Sequence, residues 1–129
     1  MPFTRITLRQ GYSDAGLTLI SDTLHQTLVE TFAVPAADRF QVIEALPAGR
    51  RVFDAHYLSG TRDEDFILFQ LVAGKPRTRA QKQQFYRLLS ERLHARLGIH
   101  PDNIMVIMQF NSADEWSFSS GKMHQQEAR

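Results

Sequence analysis

One pattern is written twice in this chain, about 65 residues apart. Residues 3–9 read F-T-R-I-T-L-R and put Thr4, Ile6 and Leu8 on one face, the alternation of a half-buried strand. Gly11, Ser13 and Asp14 then mark a turn and a helix start. Leu17, Ile20, Leu24, Leu28 and Phe32 follow at spacings of three and four, the stripe of an amphipathic helix. Val34-Pro35 ends that helix, residues 40–46 read as a second strand, and Pro47-Ala48-Gly49 is a turn. The second copy opens with residues 66–73 (F-I-L-F-Q-L-V-A), apolar enough for a strand covered on both faces. Thr78 and Gln81 have capping-box spacing. Phe85, Leu88, Leu89 and Leu97 form the next stripe, with Leu93 flanking it, and Gly98 sits where a helix stops. Pro101-Asp102 turns into a last strand over 104–110.

Few folds accept a strand-helix-strand unit duplicated in this way. Each unit predicts a parallel strand pair with a right-handed crossover helix. The fold class is therefore α+β: a tandem β-α-β duplication with a four-stranded mixed sheet and two helices on one face. The halves run over about 2–46 and 66–110 of a single domain spanning 1–129, with a C-terminal tail over 119–129. Residues 50–62 are expected to add an edge hairpin or a loop. From Gly121 on, the tail has few apolar residues, which predicts mobility. Two helices cover only one sheet face, so oligomerisation is expected to cover the other.

Composition excludes several function classes. A chain of 129 residues buries roughly two-thirds of its unfolded surface, enough for a proper core. The net charge of +1 gives no electrostatic reason to expect nucleic acid or an anionic membrane as partner. The absence of cysteine rules out disulfides, thiolate metal sites and cysteine nucleophiles. No apolar run approaches the roughly 20 residues of a membrane span. Arg5 and Arg9 interrupt any signal-peptide layout. A cytoplasmic protein without metal or cofactor is expected, since His94, His100 and His124 show no ligand spacing with carboxylates.

Pro2, directly after Met1, is the first residue with chemical potential. Aminopeptidase trimming removes Met before a small residue, which leaves proline as the terminus. A terminal proline is a secondary amine, able to act as base, acid or carbonyl nucleophile. The plainer reading is a proline opening a strand. Plain readings also exist for the other polar residues. Asp38 beside Arg39 reads as turn polarity, and Lys75 and Arg77 as solvated loop charges. Trp116 and Phe118 read equally as core or subunit contacts, and His25 as a packing histidine beside Leu24 and Leu28.

Together with these residues, longer stretches carry a resemblance. Met1-Pro2, F-A-V-P-A-A-D-R-F-Q (32–41), K-P-R (75–77), Q-K-Q-Q-F-Y-R-L-L (81–89), G-I-H-P-D-N-I (98–104) and N-S-A-D-E-W-S-F (111–118) resemble the tautomerase superfamily, in its malonate semialdehyde decarboxylase-like branch. The resemblance implies a homotrimer with a tautomerase fold, like that of macrophage migration inhibitory factor, and a catalytic N-terminal proline. It implies that Pro2 is the reactive amine, that Asp38 hydrogen-bonds near it, and that Arg77 holds a substrate carboxylate. Lys75 falls where the decarboxylase has a second arginine. Trp116 and Phe118 fall on aromatics that wall the pocket, and a further family phenylalanine corresponds to Gln125. A histidine near His25 contributes to substrate binding in the related dehalogenases, which makes His25 a substrate-binding candidate.

The chemistry implied is proton transfer on small 2-keto or 3-oxo acids, needing a base beside the α-carbon and a cation near the oxygens. Arginine grips a carboxylate in a two-pronged fork; lysine is a compact point charge. Lys75 keeps the charge and loses the fork, which favours keto-enol tautomerisation over malonate semialdehyde-type decarboxylation with hydratase activity. A third reading is a trimeric binding module without catalysis. Burial and nearby cations make Pro2 a base, whereas Asp38 favours the cation and proton donation.

Overall fold

The computed structural model describes residues 1–125. Strand β1 (Pro2–Arg9) alternates as expected and buries Pro2, Thr4, Ile6 and Leu8. Helix α1 (Asp14–Phe32) starts at Ser13, whose hydroxyl accepts the Gly16 N–H at 3.1 Å, as an N-cap should. It ends at Ala33, which takes the left-handed conformation (φ 52°) and turns the chain toward β2 (Gln41–Leu46).

The second unit follows the same plan with β3 (Ile67–Ala73), α2 (Arg79–Leu97) and β4 (Ile104–Phe110). Thr78 and Gln81 close a full capping box: the Thr78 hydroxyl accepts the Gln81 N–H, and the Gln81 side chain accepts the Thr78 N–H. Gly98, at φ 68°, stops α2 by returning its N–H to the His94 carbonyl.

The four strands form one sheet in the order β2-β1-β3-β4. Each unit contributes a parallel pair, β1 with β2 and β3 with β4. The units join through antiparallel pairing of β1 with β3, in a register that sets Pro2 opposite Ala73 and Ile6 opposite Phe69. Helices α1 and α2 pack together on one sheet face. Ile20, Leu24, Leu28 and Phe32 from α1 meet Phe85, Leu89 and Leu93 from α2 over Ile6, Leu8, Phe69 and Leu71. The second helix has turned slightly from its sequence expectation: Leu93 is fully buried and Leu97 only half-buried. Leu93 lies four residues after Leu89 and eight after Phe85, so it belongs to the stripe and Leu97 to its margin.

The opposite sheet face is less covered. Leu68, Val72 and Met105 are half-buried there, Ile107 is 40% exposed, and the Arg5–Glu44 ion pair crosses β1 and β2. The 47–66 connection adds no strand to the sheet. Arg51 anchors it by donating to the carbonyls of Phe66 and Glu64 while lying 3.7 Å over the Phe66 ring. Asp63 and the buried Asn103 complete the anchor with two reciprocal hydrogen bonds of 2.9 Å. No helix among the described residues is long and apolar enough to cross a membrane.

Truncating Leu93 removes a side chain with no exposure. Leu93→Ala is expected to lower the unfolding free energy by about 2–5 kcal/mol, read from urea midpoints, whereas Leu97→Ala costs clearly less. Equal losses would contradict the burial assigned to the two positions.

Candidate active site

The two pairings of β1 bring separate segments to the residue that begins it. In the antiparallel direction, Pro2 opposite Ala73 places the 74–77 loop beside the N-terminus. In the parallel direction, Thr4 pairs with Gln41 and its N–H donates to the Phe40 carbonyl at 3.1 Å. The residues just before β2, 33–40, therefore flank Pro2 on its other side. Between these walls lies a cavity of about 710 Å³, within the usual size of a small-molecule site. Pro2, Asp38, Lys75, Arg77, Phe118 and His124 are among its lining residues.

Asp38 is carried by a turn in which its own N–H donates to the Pro35 carbonyl at 2.9 Å. Its carboxylate lies 3.6 Å from the terminal amine, here that of Met1, and both groups are mostly shielded from water. His25 is 5% exposed and does not line the cavity. Its Nε2–H donates to the Ala36 carbonyl at 2.8 Å, which pins the turn that presents Asp38. Arg39, next to Asp38, reaches away to Asp22 at 2.7 Å.

The 74–77 loop supplies the cations. Arg77 donates from Nε to the Phe32 carbonyl (3.3 Å) and from Nη1 to the Lys75 carbonyl (2.5 Å). Its guanidinium also lies 5.1 Å from the Phe32 ring centre. These contacts tie the loop to the end of α1 and fix the direction of the fork. Burial pushes the Arg77 guanidinium down from its ordinary value, yet arginine stays charged at any accessible pH. Among the described residues neither Lys75 nor Arg77 pairs with a carboxylate. Two cations on one short loop, paired with no carboxylate among the described residues, favour an anionic ligand.

The aromatic wall is built from the C-terminal segment. Trp116 stands behind Phe118, the rings stacked at 5.3 Å and 17°. Trp116 Nε1 donates to Asn111 Oδ1 at 2.6 Å, and the Asn111 N–H donates to the Ala73 carbonyl at 2.9 Å. The wall is thus fastened to the end of β3, opposite Pro2. Gly74 allows the approach, since a Cβ there would sit only 3.2 Å from Trp116 Nε1.

Pro2, Asp38, Lys75, Arg77 and Phe118 meet at one cavity, Trp116 backs it, and His25 acts at one remove. Two lining residues escaped sequence reasoning. Gln81 was read only as a cap, and its Nε2 also donates to the Thr31 carbonyl at 3.4 Å. His124 arrives because the chain reverses at Ser120 and Gly121, both at positive φ, within a Ser119–Lys122 bridge. Its N–H then donates to the Trp116 carbonyl at 2.8 Å. Ser-Gly between two short segments is a hairpin signal that could have exposed this return. The tail therefore folds back as far as residue 124 and does not trail away; Gln125 is exposed, and 126–129 lie outside the described residues.

Similar proteins match this chain over most of its length. Residues 38–119 match a family described as a tautomerase enzyme. The chain is 34% identical over 122 residues to the probable tautomerase YusQ of Bacillus subtilis (strain 168), covering 95% of this chain and 96% of that one. A solved malonate semialdehyde decarboxylase, whose structure was interpreted in terms of decarboxylase and hydratase activities, is 32% identical. It superposes with a TM-score of 0.85 over 93% of this chain and 92% of that one. A fused 4-OT described as a symmetric trimer shares the fold, at 16% identity, a TM-score of 0.75 and 94% coverage of both chains.

The Asn111–Trp116 hydrogen bond has a direct optical test, because Trp116 is the sole tryptophan. Asn111→Ala is expected to shift tryptophan emission to the red and to cost about 1 kcal/mol of stability. Unchanged emission would mean that Asn111 does not hold the ring.

Proposed function

The chain belongs to the tautomerase family, in its malonate semialdehyde decarboxylase-like branch, and from that premise we propose that it interconverts keto and enol forms of small 2-keto or 3-oxo acids with Pro2 as the proton carrier. The observation that supports this most is the convergence of Pro2, Asp38 and the two cations Lys75 and Arg77 on one cavity. This reading requires that Met1 is removed, which makes the Pro2 nitrogen a secondary amine near Asp38.

The steps use this chain's own groups. Arg77 binds the substrate carboxylate through its fork, and Lys75 adds charge near the carbonyl oxygen. The Pro2 lone pair takes the α-proton, the C–H electron pair becomes the enolate π-bond, and the carbonyl pair moves to oxygen. Lys75 and Arg77 stabilise the negative charge as it develops. The Pro2 ammonium then returns its proton to oxygen, which yields the enol and restores the amine. Asp38 stabilises the ammonium between these two transfers, while the two cations and burial favour the neutral amine. Phe118, backed by Trp116, excludes water from one side.

Decarboxylation of a 3-oxo acid is the second reading, favoured by the likeness to malonate semialdehyde decarboxylase. There the bond to the carboxylate breaks, carbon dioxide leaves, and the electron pair forms an enolate that Pro2 reprotonates. Lys75 separates the two readings. A point charge suffices to stabilise an enolate, whereas holding a departing carboxylate out of the carbonyl plane profits from a second fork. The assembly that fits this reading is a homotrimer, with the half-covered sheet face buried between subunits and a small oxo acid as the only other partner.

Pro2→Ala is expected to lower kcat for ketonisation of phenylenolpyruvate by about 10²-fold or more, measured by ultraviolet absorbance on protein whose terminus is verified by mass. Equal activity in both proteins would sink the role of Pro2. Lys75→Arg is expected to raise carbon dioxide release from malonate semialdehyde while leaving enol conversion within about twofold. A fall in carbon dioxide release would instead show that the native lysine already serves decarboxylation. Asp38→Asn removes the anion beside the amine, which lowers the pKa of Pro2. The limb on which the free amine forms in the kcat/KM profile should accordingly move to lower pH; movement to higher pH would contradict that neighbourhood.

A further inference from the structure

We propose that His124 is a specificity-determining residue that selects oxo acids carrying a second anionic group. The inference rests on the proposed oxo-acid site and deepens it. His124 is the one imidazole among the lining residues of the cavity. The Ser120–Gly121 reversal and the 2.8 Å bond from its N–H to the Trp116 carbonyl fix its backbone. Its ring meets Phe118 edge to face, at 5.0 Å and 87°. Phe118 stacks on Trp116, and Trp116 abuts Gly74, the residue that begins the cationic loop. His124 thus stands on the wall that adjoins Lys75 and Arg77.

The charges that face this wall decide what it recognises. Asp38 lies beside the chain's amino terminus, 3.6 Å from the Met1 amine, so its charge is set against that amine. Arg39 is spent on Asp22. Gln81, from α2, is neutral. Lys75 and Arg77 satisfy one carboxylate and the enolate oxygen. An imidazole lining the same cavity offers an N–H to a further acceptor, and histidine is the side chain whose charge changes near neutral pH. Protonated, it makes a charge-assisted hydrogen bond to a second anion, worth about tenfold or more in affinity. A substrate with one carboxylate and an apolar remainder gains nothing from it. The residue thus sorts substrates: two anionic groups near neutral pH and below, a weaker preference above.

The test compares two ligands that are not turned over. Sulfoacetate carries a carboxylate and a sulfonate, and acetate a carboxylate alone; both keep their charge from about pH 6 to about pH 8. Dissociation constants are read by NMR shift perturbation on mature protein. The ratio of acetate to sulfoacetate dissociation constants removes effects common to both ligands, and the His124 variants separate the part owed to His124 from the part owed to Pro2. The wild-type ratio is expected to rise about tenfold from pH 8 to pH 6. It should lose that pH dependence in His124→Phe, which keeps an aromatic ring against Phe118, and in His124→Gln. Unchanged Trp116 emission verifies that the wall remains folded. A wild-type ratio independent of pH, the same slope in both variants, or failure of sulfoacetate to bind would overturn the proposal. Because binding is read without turnover, a failure of the tautomerase reading would appear separately, as wild-type protein that binds both ligands and converts no oxo acid.

Discussion

The antiparallel pairing of β1 with β3 is the constraint on which the molecule depends. Each β-α-β unit alone is a two-stranded parallel pair with one helix and too little core to stand by itself. Pairing the units makes one four-stranded sheet and lets α1 and α2 bury Leu24, Leu28, Phe85 and Leu89 against each other. The same register sets Pro2 opposite Ala73. The pairing that builds the core therefore also brings the start of the first unit to the end of the third strand. Shifting that register by one residue would turn Ile6 and Leu8 out of the core and move Pro2 from the cationic loop.

The site inherits its chemistry from this geometry. Segments on either side of Pro2 carry opposite charges: Asp38 before β2, and Lys75 with Arg77 after β3. A proline amine between them feels an anion that favours its protonated form and cations that disfavour it. Backbone carbonyls of Phe32 and Lys75 hold Arg77 at the cavity, where no carboxylate among the described residues pairs with it. His25 holds the Ala36 carbonyl and so the turn beneath Asp38. Core and cavity use the same atoms here, since the end of α1 both caps the core and anchors the cationic loop.

Much of this was legible in the sequence, for reasons that differ by element. The duplicated units were readable because their apolar stripes follow helical and strand periods, and because Thr78, Gln81 and Gly98 are strong end signals. Leu93 was placed at the margin because a single apolar residue between two stripe positions does not reveal how far a helix rotates on its sheet. The segment 47–66 resisted assignment because side-chain anchors such as Arg51 and Asn103 hold it, and these leave no periodicity. Pro2 was nominated from the chemistry of a terminal proline amine, and Asp38, Lys75 and Arg77 from resemblance; their proximity is a property of register, which single-strand patterns do not contain. His124 was overlooked because its role depends on a two-residue reversal that folds an otherwise polar tail onto Phe118.

The central claim is that Pro2 takes the proton, so the most direct measurement is titration of its amine by nitrogen NMR in the mature assembly. Burial together with Lys75 and Arg77 is predicted to outweigh the single carboxylate of Asp38. The amine should titrate below the ordinary α-amino range of about 7.7–8.0. An amine that titrates above that range would make Pro2 a proton donor at neutral pH and contradict the account.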